Sequence, residues 1–238
     1  MRIFAGLHAG KNTILVSENS ASRPAGDIAS RIAARTLADR EAAYAGEVRR
    51  LLDAALDLIR AAGTGARPRV ADIVAAAGLS NDAFYRHFPS KDALITVLIE
   101  DGADRLVSYV AHRMDKRDSP REAVRAWVEG ILSQAADETA TTTRAVLWNA
   151  GALTPAIDTG SPLPSGRLAV LLHRPFAELG SADPEFDAGL VAHATVGRLS
   201  DQLWRREEPT AADVDRVTAF CLRALTIGPA AGQDSRGR

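Results

Sequence analysis

The sequence has a single cysteine among its 238 residues, Cys221. One thiol closes no internal disulfide and supplies no cysteine-rich zinc site, so the sequence excludes both kinds of cross-link. Such sparing use of cysteine is typical of proteins that fold in a reducing compartment, and we expect a cytoplasmic chain.

Long apolar runs are missing as well. Arg, Asp or Glu interrupts every apolar stretch before it reaches the roughly 18 residues that a membrane-spanning helix needs. Near the N-terminus, His8 and Lys11 break a weak apolar patch before it can form the core of a signal peptide. We therefore expect a soluble protein that is not exported and has no membrane partner.

No charge of one sign dominates the chain. It has 29 Lys and Arg residues and 30 Asp and Glu residues, which gives a net charge of −1 at pH 7. Any nucleic-acid footprint must therefore be local, because the chain as a whole has no basic field. Aromatic residues make up only 5% of the sequence, and the longer stretches repeat apolar residues every three or four positions. This pattern predicts an all-α fold.

The first 43 residues have the weakest pattern. Residues 1–24 have no sustained period and end in a polar, proline-containing cluster, which predicts a poorly ordered arm. A start codon placed too far upstream is an open alternative. The segment from Asp27 to Arg40 is helix-prone, and it either joins the next helix or forms a separate turn. Its arginines either add minor-groove contacts or have no role.

The remaining chain divides into helices, whose ends are marked by Gly, Pro and Ser. Gly78 predicts a tight left-handed turn between two short helices, and Ser90 is predicted to cap the long helix that follows. The predicted helices are an apolar-striped helix over 44–59, two short helices over 70–77 and 81–87, a long helix over 91–114, and further helices at about 120–136, 139–150, 165–180, 184–206 and 210–226. Residues 151–166 are predicted to form a loop and residues 228–238 a tail.

The second short helix is too polar for its length. The residues predicted to form a small core between the two short helices and the striped helix are Ile73, Leu79, Phe84 and Phe88. The polar residues left on the other face are Asn81, Tyr85, Arg86 and His87. Two short helices around a glycine turn, the second with a polar face, are typical of a helix-turn-helix that enters a DNA major groove.

Three segments of this region resemble the TetR family of transcriptional regulators. They are Ala77-Gly78-Leu79-Ser80, Phe84-Tyr85-Arg86-His87-Phe88 and Ser90-Lys91-Asp92-Ala93-Leu94, and the resemblance covers residues 44 to about 100. It implies a homodimer that binds a double-stranded DNA operator through an N-terminal three-helix domain. It also implies a C-terminal helical domain that binds a small-molecule effector and dimerises through the last two helices.

The resemblance also implies roles for individual residues. Carried over by position, the DNA-facing residues are Ser80, Asn81, Tyr85, Arg86 and His87, and Lys91 would hold a phosphate. A lysine at a helix N-terminus suits that role, because its charge adds to the exposed backbone N–H groups.

Two positions depart from the family pattern. Arg69 stands where members commonly have Thr or Ser, and we expect it to contact phosphate instead. Asp82 stands where many members have glycine, and an acid beside the DNA backbone is expected to weaken binding.

The resulting domain prediction is an N-terminal arm over 1–43, a DNA-binding domain over 44–92, a regulatory and dimerisation domain over 93–227, and a disordered tail over 228–238. Candidates for an apolar effector pocket are Trp127, Trp148 and Phe176, although aromatic residues at helical spacing are more often plain core. The apolar residues predicted for the dimer face are Leu190, Val191, Ala194, Leu199, Leu203, Val214, Val217 and Leu225.

Other kinds of site have little support in the sequence. His173 and His193 lie far apart with no ligand at metal spacing, so we expect neither a metal nor a cofactor. No pattern pairs a nucleophile with a base, so we do not expect an enzyme. Two alternatives stay open: a helical protein-interaction module that has lost DNA binding, and a helical enzyme.

Overall fold

The computed structural model describes residues 25–151 and 164–225. Within these ranges the regular structure is helical throughout, which confirms the predicted all-α class. The helices are α1 (Ala25–Ala62), α2 (Val70–Ala77), α3 (Asn81–His87), α4 (Lys91–Met114), α5 (Pro120–Leu132), α6 (Asp137–Ala150), α7 (Ser165–Glu178), α8 (Pro184–Arg205) and α9 (Ala211–Ala224), with a 3-10 turn over Ser133–Ala135. None of these helices combines the length and apolar character needed to cross a bilayer.

The chain separates into two compact units, residues 1–45 and residues 46–238. In the first unit the segment from Asp27 to Arg40 is helical and lies within α1, and every residue from 27 to 45 is exposed. The predicted arm over 1–24, most of the predicted loop over 151–166 and the predicted tail lie outside the described residues. All further contacts below belong to the second unit.

Two hydrophobic cores organise the second unit. The first joins the end of α1 to α2, α3, the start of α4 and part of α6; its fully buried side chains include Leu51, Ile59 and Phe84. The second joins the rest of α4 to α5, α7, α8 and α9 around Trp127, whose indole N–H donates to the Leu168 carbonyl oxygen at 2.9 Å. The two cores account for the helical spacing of apolar residues in the sequence.

Local capping explains where the short helices begin and end. The Ser80 and Ser90 hydroxyl oxygens accept backbone N–H groups from the third residue of α3 and of α4, each at 3.1 Å, so the predicted Ser90 cap is confirmed. Gly78 has φ of 65°, the left-handed conformation that the turn between α2 and α3 requires. The predicted bounds of α2, α3 and α4 are confirmed for these reasons.

The last two helices differ from the sequence expectation in which residues they expose. Three residues predicted for the dimer face, Val191, Leu199 and Leu203, are instead buried in the second core. The large apolar side chains exposed on these helices are Phe186, Leu190, Trp204 and Phe220, and Ala194 of the predicted dimer face is exposed as well. Helical spacing identified the apolar residues, but α8 has apolar residues on two faces, and only packing shows which one the chain itself covers.

Candidate nucleic-acid interface

Phe84 anchors helix α3 to the first core. The side chain is fully buried, and its ring lies 5.8 Å from the ring of Phe88. Ala83 is buried beside it, so one face of this seven-residue helix is committed to the core. Burial of a phenylalanine stabilises a fold by about 1.5–3 kcal/mol, enough to fix the orientation of so short a helix.

The opposite face of α3 is polar and open to solvent. Asn81, Tyr85 and Arg86 are exposed there, and the Tyr85 side chain packs edge-on against Phe84 with ring centroids 5.3 Å apart. Asp82 is exposed as well. The helix therefore presents an amide, a phenol and a guanidinium, all of which can hydrogen-bond to base edges or phosphates.

The His87 side chain was predicted to face DNA, but it points into the protein. Its side chain is fully buried, and its Nε2 atom lies 2.7 Å from Glu47 Oε2 on α1. The prediction that His87 faces DNA therefore does not fit the structure, because the last turn of α3 points this ring toward α1. Its role is to tie the two helices together.

Glu47 also contacts the exposed face of α3. Its Oε2 atom lies 3.5 Å from Nη1 of Arg86, so one carboxylate contacts two consecutive residues of the helix. The hydrogen bond with His87 and the positive charge of Arg86 hold the pKa of Glu47 below its usual value. The charged form of Glu47 is thus the one that fits this site.

The residues predicted to flank the helix-turn-helix lie at helix starts. Arg69 precedes α2, its backbone N–H donates to Asp72 Oδ2 at 3.0 Å, and its side chain is 85% exposed. Ser80 caps α3, which leaves its hydroxyl oxygen occupied by a backbone N–H. Lys91 is the first residue of α4, and its Nζ atom donates to the Pro68 carbonyl oxygen at 3.3 Å. Lys91 thereby connects the entry to α2 with the N-terminus of α4.

Trp148 contacts the loop that precedes α2. The Arg67 guanidinium lies 5.7 Å from the centre of the Trp148 ring and donates to the Trp148 carbonyl oxygen at 3.2 Å. The contact attaches the loop before α2 to helix α6. Local sequence patterns do not predict this contact, because 81 residues separate Arg67 from Trp148.

A cavity of about 810 Å³ lies among α1, α4, α6 and α8. Its apolar lining includes Leu56, Leu98, Leu106, Val146, Leu147, Val196, Leu199 and Leu203, and its polar lining includes Arg60, Gln134, Glu138, Thr139, Thr141, Thr142, Thr143 and Ser200. This volume is in the range of small-molecule sites, and an apolar wall with a few polar groups is their usual composition.

None of the three aromatic residues predicted for a pocket is among the residues that line this cavity. Trp127 and Phe176 are fully buried in the second core, which is the plain-core alternative considered above. The sequence signal that was missed is the threonine cluster of α6, since four threonines over 139–143 are unusual in a helix interior.

The comparisons with known proteins agree with this geometry. Residues 51–98, which run from α1 to the first turns of α4, match the family model of bacterial regulatory proteins of the tetR family. No curated protein sequence matches the chain.

Many solved structures share the fold. A TetR-type transcriptional regulator of Streptomyces avermitilis is 23% identical with a TM-score of 0.57, over 76% of this chain and 99% of that one. A TetR-family regulator of Pectobacterium atrosepticum is 20% identical with a TM-score of 0.56, over 78% and 93%. The fatty acid degradation regulator FadR of Bacillus halodurans is 18% identical with a TM-score of 0.52, over 74% and 94%.

The sequence match includes α2, α3 and the turn between them, and the structural matches extend the likeness over about three quarters of the chain. Residues 51–98 therefore match the model of the tetR family of bacterial regulatory proteins, and the chain shares the all-helical fold of solved TetR-family regulators.

Proposed function

We propose that this protein is a transcriptional repressor that binds a palindromic DNA operator as a homodimer and leaves it when a small-molecule effector binds. In this proposal residues 44–92 bind DNA and residues 93–227 bind the effector and the second subunit. The observation that carries the proposal is the exposed face of α3, where Asn81, Tyr85 and Arg86 stand beside a fully buried Phe84.

The dimensions of α3 suit a major groove. An α-helix with its side chains is about 10–12 Å across, and the B-DNA major groove is about 12 Å wide. Asn81 and Arg86 offer the donor patterns that read adenine and guanine edges. Lys91 and Arg69, at the starts of α4 and α2, would contact the flanking phosphates and set the register.

Dimerisation would use the exposed apolar face of α8 together with α9. Phe186, Leu190 and Trp204 are 61%, 58% and 49% exposed along α8, and Phe220 is 45% exposed on α9. Large apolar side chains in a row on one helix mark an association surface more often than a free one. A two-fold interface there would present two α3 helices to half-sites about 34 Å apart.

The cavity among α1, α4, α6 and α8 is the proposed effector site. Leu56 and Arg60 of α1 and Leu98 of α4 line it, and both helices also pack in the core that holds α3. An occupant that pushes α4 from α1 would tilt α3 and change its separation from the second α3. Binding of an effector in the cavity would in this way lower the affinity of the protein for its operator.

The test is fluorescence anisotropy of the full-length protein with labelled duplexes tiled across its own upstream region, at two salt concentrations and with nonspecific competitor DNA. We expect saturable binding to one roughly palindromic tile that weakens with salt. Tyr85→Ala should lower the affinity for that tile at least tenfold, because the residue lies on the reading face and outside the core.

The control in the same assay is Val170→Ala, which changes an exposed apolar residue on α7, outside the proposed DNA-binding and dimer faces. It should leave operator binding unchanged. Saturable binding that Tyr85→Ala leaves unchanged would contradict the proposed orientation of α3. Binding to no tile would favour the protein-interaction alternative, for which exposed Asp82 on α3 is the structural argument.

A further inference from the structure

Several hydroxyl groups in the lining of the cavity among α1, α4, α6 and α8 are unused. Thr142, Thr143 and Ser200 are half-buried there, and their side chains form no hydrogen bond with any residue that the structure describes. By contrast, the hydroxyl groups of Thr96 and Thr195 donate to the carbonyl oxygen one turn earlier, at 3.1 and 2.9 Å. Three hydroxyl groups of the lining are therefore free to bond a ligand.

The charged residues of the lining have partners or face solvent. Arg105 Nη2 lies 2.7 Å from Asp101 Oδ2, and Arg60 Nη1 lies 3.5 Å from Asp57 Oδ1. Glu138 is exposed in the first turn of α6, where the helix dipole favours an acidic residue. No charge among these lining residues therefore needs a ligand to neutralise it.

The charges next to the lining also balance. Arg144 donates to a backbone carbonyl oxygen and to a threonine hydroxyl oxygen of the lining, each at 3.3 Å. Arg113 donates to the hydroxyl oxygen of Tyr109, which lines the cavity, and lies 2.8 Å from Glu129. When these neighbours and the ion-pair partners are included, four arginines stand against four carboxylates. The cavity therefore favours neither an anion nor a cation.

The wall that α6 contributes changes from polar to apolar along the helix. Thr139, Thr142 and Thr143 lie in its first two turns, and Val146 and Leu147 lie in the next turn. At a rise of 1.5 Å per residue, the wall from Thr139 to Leu147 is about 12 Å long. This arrangement suits an elongated molecule with a polar end and an apolar end.

We propose that the cavity binds an uncharged amphiphile, a molecule with an elongated apolar part and a hydroxyl or carbonyl group at one end. Val196, Leu199 and Leu203 of α8 would cover the apolar part, and the free hydroxyl groups of α6 would bond the polar end. A charged end would lose its hydration without gaining an unpaired counter-charge, so its burial is unfavourable. The inference rests on the proposed function in taking this cavity as the effector site.

The test uses three eight-carbon probes that share one apolar chain: 1-octanol, octanoate and octylammonium. Each is titrated into the full-length protein without DNA in an isothermal titration calorimeter at neutral pH. We expect saturable binding of octanol, and at least about tenfold weaker binding of both charged probes, because only octanol enters without losing the hydration of a charge.

Two variants test the role of the hydroxyl groups. Thr142→Val and Thr143→Val keep the shape of the side chain and remove only the hydroxyl, so each should weaken octanol binding a few-fold. Thr96→Val is the matched control, because Thr96 is exposed on α4 and lies outside the lining. It should leave octanol binding unchanged, and thermal unfolding checks that all three variants fold.

A further variant tests the exposed carboxylate of the lining. Glu138→Gln should leave the affinities for octanol and octylammonium within about twofold of the wild-type values, because an exposed charge attracts a ligand only weakly. A large loss of octylammonium binding in this variant would show that the cavity selects a cation, and would overturn the proposal.

Other results would overturn the proposal as well. Octanoate or octylammonium that binds as tightly as octanol would exclude an uncharged ligand. Equal losses in Thr96→Val and Thr142→Val would place the effect outside the cavity. Absence of octanol binding in a protein that binds its operator would reject this ligand class and leave the DNA-binding proposal standing. Octanol that binds with the expected selectivity but leaves the operator complex intact would support the ligand class and contradict the effector role of the cavity.

Discussion

Lys91 is the residue whose proposed role depends most directly on its place in the fold. It begins α4, beside the exposed backbone N–H groups of that helix, and its Nζ atom bonds a single carbonyl oxygen. We expect Lys91→Ala to lower operator affinity and to reduce the slope of log affinity against log salt by about one unit, as the loss of one phosphate contact does.

The measurement for Lys91 is a salt titration of operator binding by anisotropy. Lys116→Ala is the matched control, because this lysine is exposed and follows the other end of α4. An unchanged slope in Lys91→Ala would show that the lysine holds only the Pro68 carbonyl oxygen. An equal change in Lys116→Ala would assign the effect to general electrostatic attraction.

Glu47 leads to a prediction about pH. Its pKa is lowered in the folded protein, chiefly by the hydrogen bond with His87, so the folded state prefers the charged form. The stabilisation is complete above the usual pKa of a glutamate, about 4.3, and is lost as the pH falls through the lower folded value. We expect wild-type protein to be more stable than Glu47→Gln at neutral pH, with the difference vanishing in acid.

Thermal unfolding of both proteins between neutral and acidic pH measures this difference. Asp57→Asn is the control: this carboxylate on α1 is exposed and lies 3.5 Å from Arg60, so it should have little effect at any pH. A stability difference that persists at the lowest pH would show that Glu47 acts through its shape and not its charge.

Helix α8 shows how one element can serve two surfaces. One of its faces packs in the second core through Val191 and Leu199, and the other exposes Leu190 and Trp204. We expect Leu190→Glu to convert the proposed dimer into a folded monomer, because two carboxylates would be buried in a symmetric interface. Operator affinity should fall with it.

Sedimentation velocity at several protein concentrations measures this change. Val170→Glu on α7 is the control, since Val170 is 60% exposed and belongs to a neighbouring helix. A monomeric wild-type protein would contradict the dimer proposal. Dissociation by Val170→Glu alone would move the interface to α7.

At the scale of the whole molecule, the chain divides unevenly. The first unit ends at Ala45, and every residue from 27 to 45 is exposed, whereas both cores lie in residues 46–238. We therefore expect removal of residues 1–43 to leave the thermal unfolding temperature within a few degrees of the full-length value.

Calorimetry of the two proteins measures this, and operator binding is compared in parallel. Unchanged operator affinity would show that the basic residues of this segment make no DNA contact, and a smaller salt slope would assign phosphate contacts to residues 1–43, which include Arg31, Arg35 and Arg40. A large fall in the unfolding temperature would contradict the expectation that both cores are stable without residues 1–43.

Sequence alone was sufficient for the helix-turn-helix. The starts of α3 and α4 and the end of α2 follow from Ser80, Ser90 and Gly78, which act on the backbone within a few residues of their own position. Buried Ile73, Phe84 and Phe88 follow from helical spacing in the same way. These features are local, so they can be worked out without knowing what lies across the fold.

Tertiary structure decided everything that depends on partners distant in sequence. His87 turns inward because Glu47, 40 residues earlier, lies beneath the last turn of α3, and Trp148 meets Arg67 across 81 residues. The cavity walls come from four separate helices. Helical periodicity says which residues share a face, but only the packing of one helix on another says what that face touches.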